Sequence, residues 1–239
     1  HKSKIKKKTF IVNSIYPNRL FKAAQNSGVK FFIFLSSAHV YKNKLEGNIN
    51  ERTKAKGNHI YSLSNLDGEK KLTKAKNKNT KLIILRATNL FGYPANKKTK
   101  CWQLLINSMV RDLIVHKKTT ILSKKNIYRN YGSLEGFCNF VLYILKKEVF
   151  KKKFPTIINY CSQYNLNLID VVNLIKKRFK ILKDKEKIKI IYKNINLKKT
   201  KKLLYKSIYS KRFKFRNDRY FTKEIDNLIF YCKSNFIQK

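Results

Sequence analysis

This sequence predicts an α/β fold built on a doubly wound parallel sheet, and three observations carry the prediction. Two runs, VKFFIFLSS (29–37) and KLIILRATN (81–89), are apolar without alternation, which suits strands buried on both faces of a parallel sheet. Helical spacing precedes each run. Leu20, Phe21, Ala23 and Ala24 mark a helix over 18–27, and a second helix over about 59–76 carries Tyr61, Glu69 and Leu72. The order helix, strand, loop, helix, strand reads as consecutive crossover units.

Gly28 ends the first helix, because glycine tolerates the left-handed conformation that closes helices. The serine pair Ser36–Ser37 closes the first strand, a polar stretch runs to about residue 58, and FGYP closes the second strand. Beyond Pro94 the pattern loosens. Helices fit 101–115, 133–147, 167–180 and about 222–236, and short strands fit 119–122, 127–131, 156–161 and 187–192. With no repeat and no Gly/Ser linker, two lobes are expected, residues 1–94 and, mainly, 95–239, with some segments of the latter returning to the main sheet.

Of the 239 residues 43% are hydrophobic, which excludes a disordered basic tail. No run of 18 or more apolar residues occurs, so no membrane span is expected. The net charge is +43, and the lysines are spread over the whole chain. Lysine travels here with Asn, Ile, Phe and Tyr, whose codons are rich in A and T, so compositional drift accounts for much of the charge. A basic surface for RNA, a ribosome or anionic lipid is the alternative. In either case the field attracts polyanions non-specifically and favours anionic substrates such as nucleotide diphosphates. Cys101, Cys138, Cys161 and Cys232 show no metal or disulfide spacing, so no metal is expected. Free thiols suit a reducing, cytoplasmic setting. The opening HKSKIKKKTFIV has no apolar core for a secretory signal.

In an open α/β sheet, ligands sit outside the carboxyl ends of the strands. Ser36 and Ser37 end one strand, Thr88 and Asn89 end the next, and Tyr61 opens the helix between them. A serine at a strand end and a tyrosine at the following helix start can converge on one substrate oxygen. The tyrosine exchanges the proton and the serine orients the oxygen.

FFIFLSSAHVY (31–41) and INERTKAKGNHIYSLSNLDGEKKL (49–72) resemble the extended short-chain dehydrogenase/reductases, specifically the NAD-dependent epimerase/dehydratase family acting on nucleotide sugars. The family pattern is an apolar strand, SS-x-x-VYG, an acidic residue, then YxxxK with a Glu four residues on. VNSIYPNRLFKAAQNSGVK (12–30), LRATNLFGYP (85–94), NIYRNYGSLEGFCNFV (126–141) and INYCSQYNLNLIDVVNLI (158–175) resemble further family segments in the right order. The resemblance implies a partial Rossmann-type sheet with a smaller mixed α/β C-terminal substrate lobe. It implies Ser37 and Tyr61 as catalytic residues, with Asn65 at the position of the catalytic lysine. Asn13, Ser36, Tyr61 and Asn65 would meet the cofactor NAD, and Ser37, Asn89 and Arg129 a nucleotide-diphosphate sugar. An Arg suits a diphosphate because its fork grips two oxygens. The family often pairs as a homodimer through a two-helix face that includes the helix beginning near His59. The segment KRFKFRNDR (211–219) is a candidate diphosphate grip or a solvated loop.

Two departures stand out. Asn65 cannot supply the charge with which a lysine stabilises a phenolate. This implies a slow or inactive relative, or compensation by the cofactor's own positive ring and a nearby lysine. Lys42 also replaces the glycine after VY. The second departure is that no GxGxxG or GxxGxxG occurs anywhere. The expectation is therefore an N-terminally truncated chain that binds NAD weakly, since the pyrophosphate cradle is absent. The sequence Ser37-Ala38-His39, where dehydratases carry an acidic pair, favours an epimerase or reductase of surface-polysaccharide type sugar metabolism. The rival reading is a catalytically impaired relative serving as a basic scaffold that binds RNA or a large complex.

Overall fold

A computed structural model describes all residues except 1, 43, 77–78, 123–125, 149–153, 183–186, 194–199, 214, 216–217 and 238–239. In chain order the elements are α1 (Lys2–Phe10), a π-turn (Ile11–Ile15), α2 (Tyr16–Asn26), β1 (Phe31–Ser37), β2 (Gly47–Ile49), α3 (Ile60–Ala75), β3 (Lys81–Ala87) and β4 (Asn89–Phe91). There follow α4 (Leu105–His116), β5 (Lys118–Ile121), β6 (Arg129–Ser133), α5 (Leu134–Tyr143), β7 (Ile157–Tyr160) and β8 (Asn165–Leu166). The last are α6 (Leu168–Ile181), β9 (Lys189–Tyr192), β10 (Leu203–Tyr205), α7 (Ser210–Phe213) and α8 (Asp218–Phe236).

These elements form two compact units. The first comprises His1–Thr88, Glu148–Cys161 and Leu204–Phe213, and the second the remaining segments. In the first unit β1, β3 and β7 make a parallel sheet in the order β1-β3-β7. Its apolar side packs Phe34, Leu82 and Ile84 against Phe21 of α2 and Leu72 of α3. The run read as one strand over 81–89 is in fact two. β3 ends at Ala87, and β4 begins at Asn89 in a different sheet, so the chain passes from the first unit to the second at Thr88.

The basic N-terminus, which showed no element in the sequence, is helical and runs through the π-turn into α2. Pro17 accounts for the widened turn. It has no N–H for the Asn13 carbonyl, and its ring would crowd that carbonyl in a regular helix. Gly68 of α3 lies against this carbonyl, where a Cβ would come within 2.2 Å of the Asn13 oxygen. Glycine is thus what lets α3 approach the π-turn so closely.

In the second unit, β4, β6 and β8 form a mixed sheet, and β5 pairs in parallel with β9. The core is a large apolar cluster that joins Ile106, Val110 and Leu113 of α4, Val172 and Ile175 of α6, and Ile225 and Leu228 of α8. The first of these helices starts at Leu105 rather than 101, because residues 101–103 are taken up in turns. β2, β8 and β10, two or three residues long, are too short to leave a periodic signal.

Candidate active site

Because the first sheet is parallel and in register, Ser37 and Ala87 are neighbours, as are Ala87 and Tyr160, all at the carboxyl ends. One step earlier Ser36, Arg86 and Asn159 form a polar row across three strands. A row of polar groups inside a sheet must find partners. The Arg86 fork bonds Glu69 of α3 through Nε (3.0 Å) and a terminal nitrogen (2.6 Å). Ser36 donates to the same carboxylate at 2.5 Å. The Tyr41 ring lies 4.6 Å from the Arg86 guanidinium, and its hydroxyl donates to Asn159 Oδ1 at 2.8 Å. Tyr205 donates to the Arg86 carbonyl. Glu51 accepts from the Asn159 and Ile208 amides and from the Ser207 hydroxyl. Burial lowers the Arg86 affinity for its proton, but Glu69 outweighs burial and the net shift is upward, so the guanidinium stays charged. Burial pushes the Tyr41 and Tyr205 phenols up, so both remain neutral donors.

Above this network lie the residues singled out from sequence. Ser37 is buried, and its Oγ accepts from the His39 amide at 3.2 Å, which leaves its own O–H to donate elsewhere. His59 caps α3, its Nδ1 accepting from Ser62 N, so the neutral ring carries its proton on Nε2. The His59 ring stacks on Tyr61 (6.2 Å between centroids, 6° between planes) and meets His39 edge-on at 5.9 Å. The rings link Tyr61, at the start of α3, to His39, two residues beyond Ser37. Gly57 holds the approach tight. Its amide donates to the Val40 carbonyl, and a Cβ there would come within 2.5 Å of the His39 carbonyl. Tyr61 is 47% exposed and available to a ligand.

The other cofactor candidates are engaged within the unit. Asn65 is 3% exposed and donates through Nδ2 to the Tyr61 carbonyl at 2.8 Å. Asn13 donates to Ser64, and Ser36 is bound to Glu69. The Ser14 hydroxyl and Lys71 both bond Asp67, which fixes the π-turn to α3. Of the four residues named for NAD, Tyr61 is the one with an exposed side chain. The 239 residues contain no glycine-rich loop for the pyrophosphate.

Asn89 and Arg129 lie in the second unit on the adjacent strands β4 and β6. Asn89 donates to the Asn130 carbonyl at 2.9 Å. Arg129 is exposed and bonds the Tyr131 hydroxyl; burial raises that phenol and Arg129 opposes the rise. In the segment 211–219, residues 214, 216 and 217 lie outside the described residues.

Sequence reasoning overlooked His59 and the Glu69–Arg86 pairing. The signal for the pair is a charge in each of two apolar settings: Arg86 inside LIILRA, and Glu69 on the face of α3 that also carries Leu72.

The sequence model described as NAD dependent epimerase/dehydratase family matches residues 1–161. No curated protein matches the sequence. Among solved structures, UDP-glucose 4-epimerase from Thermotoga maritima superposes with a TM-score of 0.75 at 14% identity, covering 95% of this chain and 71% of that one. UDP-N-acetylglucosamine 4-epimerase from Methanobrevibacter ruminantium gives 0.74 at 16%, covering 93% and 69%. UDP-glucuronic acid 4-epimerase from Bacillus cereus gives 0.74 at 15%, covering 93% and 67%. At these identities the likeness is one of fold.

Proposed function

The chain belongs to the NAD dependent epimerase/dehydratase family, and from that premise we propose that it is a slow nucleotide-sugar epimerase or related reductase. The observation that supports the reading is the ring series His39–His59–Tyr61, with an exposed phenol at one end and, two residues before the other, Ser37 with a hydroxyl proton to give. In this reading Ser37 donates to the sugar oxygen and orients it, while Tyr61 takes and returns the hydroxyl proton. NAD, when bound, supplies the hydride acceptor. Asn89 and Arg129 are the candidates for the sugar and diphosphate, and Asn13, Ser36 and Asn65 for the cofactor. The absence of an acidic pair beside Ser37 favours epimerase over dehydratase chemistry. Exposed Val12, Tyr16 and Leu20 on the first helical run, with Leu63 on α3, suit pairing with a second copy. Among the described residues no helix is long and apolar enough to cross a membrane.

The slowness follows from Asn65. A neutral phenol is a poor base, and an amide at residue 65 adds no charge to stabilise its anion. The test is proton NMR of UDP-glucose incubated with the chain and NAD. Expected are slow formation of the 4-epimer, a loss of at least a hundredfold in Tyr61→Phe, and a gain at pH 7 in Asn65→Lys. A Tyr61→Phe protein as active as the parent, or a folded Asn65→Lys with unchanged turnover, sinks the assignment.

A further inference from the structure

Within the second unit, four aromatic rings follow one another in space. Tyr93 comes from the loop after β4, Trp102 from the turn before α4, and Tyr231 and Phe236 from the C-terminal part of α8. Ring centroids lie 5.8 Å apart for Tyr93–Tyr231 and 6.2 Å for Tyr231–Trp102, with planes inclined by 31° and 27°. Phe236 meets Trp102 edge-on at 5.1 Å. Tyr93 is 43% exposed, and the other three rings are half-buried.

A basic rim borders the row. Trp102 Nε1 donates to the Lys97 carbonyl at 2.8 Å, which holds the 97–100 loop beside the ring, and Lys97, Lys98 and Lys100 are exposed. The Arg111 guanidinium lies 5.9 Å from the Trp102 ring. None of these residues belongs to the set around Ser37 and Tyr61.

We propose that this row is a stacking platform for a single-stranded polynucleotide. The warrant is the coincidence of two features. Lysines are spread over this whole chain, so a cluster of them alone says only that polyanions are attracted. Partly exposed rings alone would suit any apolar partner. A polynucleotide needs both at one place, because each of its residues offers a π-face for stacking and a phosphate for a cation. Anionic polysaccharides meet the lysines but bring no aromatic face.

Trp102 is the sole tryptophan of the chain, so its fluorescence reports on this row. The full chain is titrated at fixed salt with twelve-residue oligouridylate and oligoadenylate RNA, and with heparin and inorganic polyphosphate of matched charge. Both RNAs are expected to quench Trp102 and to bind more tightly than the two base-free polyanions. Tyr93→Ala weakens RNA binding about tenfold or more while leaving heparin unaffected, and Tyr93→Phe retains binding. Replacing Lys97, Lys98 and Lys100 by Ala lowers the salt slope by about two. Circular dichroism checks that the variants fold; the exposure of Tyr93 makes its truncation mild. Equal binding of heparin or polyphosphate and RNA, or Tyr93→Ala binding RNA as the parent does, overturns the proposal and leaves bulk charge alone.

Discussion

Arg86–Glu69 in the first unit and Arg178–Asp226 in the second are arginine–carboxylate forks of nearly the same geometry in different surroundings. Arg86–Glu69 in the first unit has distances of 3.0 and 2.6 Å, and its side chains are 7% and 4% exposed. Arg178–Asp226 in the second joins α6 to α8 at 2.8 and 2.5 Å, with 18% and 17% exposed. The deeper pair also carries the Ser36 hydroxyl and the Tyr41 ring. Stability does not explain such a pair, since apolar residues of similar volume often do as well as a buried ion pair. What it specifies is position. It fixes α3, which carries Tyr61 and Asn65, against the strand ends that carry Ser36 and Ser37. The shallower pair braces two helices beside an apolar core that already holds them.

The largest effect should come from orphaning the deeper charge. Glu69→Ala leaves Arg86 buried without its partner, at an expected cost of about 3–5 kcal/mol in urea unfolding. Adding Arg86→Met to Glu69→Ala should recover most of that loss. If the single and double variants are equally unstable, the loss is one of packing and the contrast between the forks disappears.

Asp226→Ala should cost less, about 1–2 kcal/mol, because Arg178 turns toward water when its partner is removed. Thiol labelling separates the units. Burial pushes the Cys161 thiol, half-buried in the first, up to about 12 and the Cys232 thiol, buried in the second, up to about 12, so each reacts slowly with iodoacetamide and faster when its surroundings open. Glu69→Ala should speed the labelling of Cys161 and Asp226→Ala that of Cys232, with exposed Cys138 as the reference. Parallel acceleration of both thiols by either variant would mean that the forks do not act on separate units.

The same contrast governs how much was legible beforehand. Helices and strands of seven or more apolar-patterned residues, such as β1, β3, α3 and α6, stand out in sequence because burial imposes their pattern. The family segments likewise placed Ser37 and Tyr61 on a strand end and a helix start. Partners were not legible. Nothing in the spacing of Arg86, Glu69, Tyr41 and Asn159 says that they meet, because pairing across 17 or 118 residues is set by strand register and the height of α3. His59 was hidden for another reason. Histidine is not among the usual helix caps, so its cap bond to Ser62 left no signal, and its role as the ring between His39 and Tyr61 exists only in three dimensions.

The smallest effect concerns pH, where the units should respond with opposite sign. In the second unit burial raises the Glu224 carboxyl, and the amide bonds from Glu135 and Tyr93 only partly oppose this. The folded state then holds a proton at Glu224 to higher pH than the unfolded chain does. Stability from this group therefore grows as pH falls from the folded pKa toward the ordinary carboxylate range, and is lost as pH rises through the folded pKa. In the first unit burial also acts to raise Asp67, but hydrogen bonds from Lys71 and Ser14 outweigh it and the net shift is downward. Its contribution is present at neutral pH and is lost as pH falls through that lowered value. Melting curves from pH 7 to pH 3, read at Trp102 for the second unit, should show Glu224→Gln removing a gain on mild acidification. Asp67→Asn, followed by Cys161 labelling, should remove a loss at the acid end. Should both variants flatten the curve in the same direction, the carboxylates respond to the chain's overall positive field and not to their own neighbours.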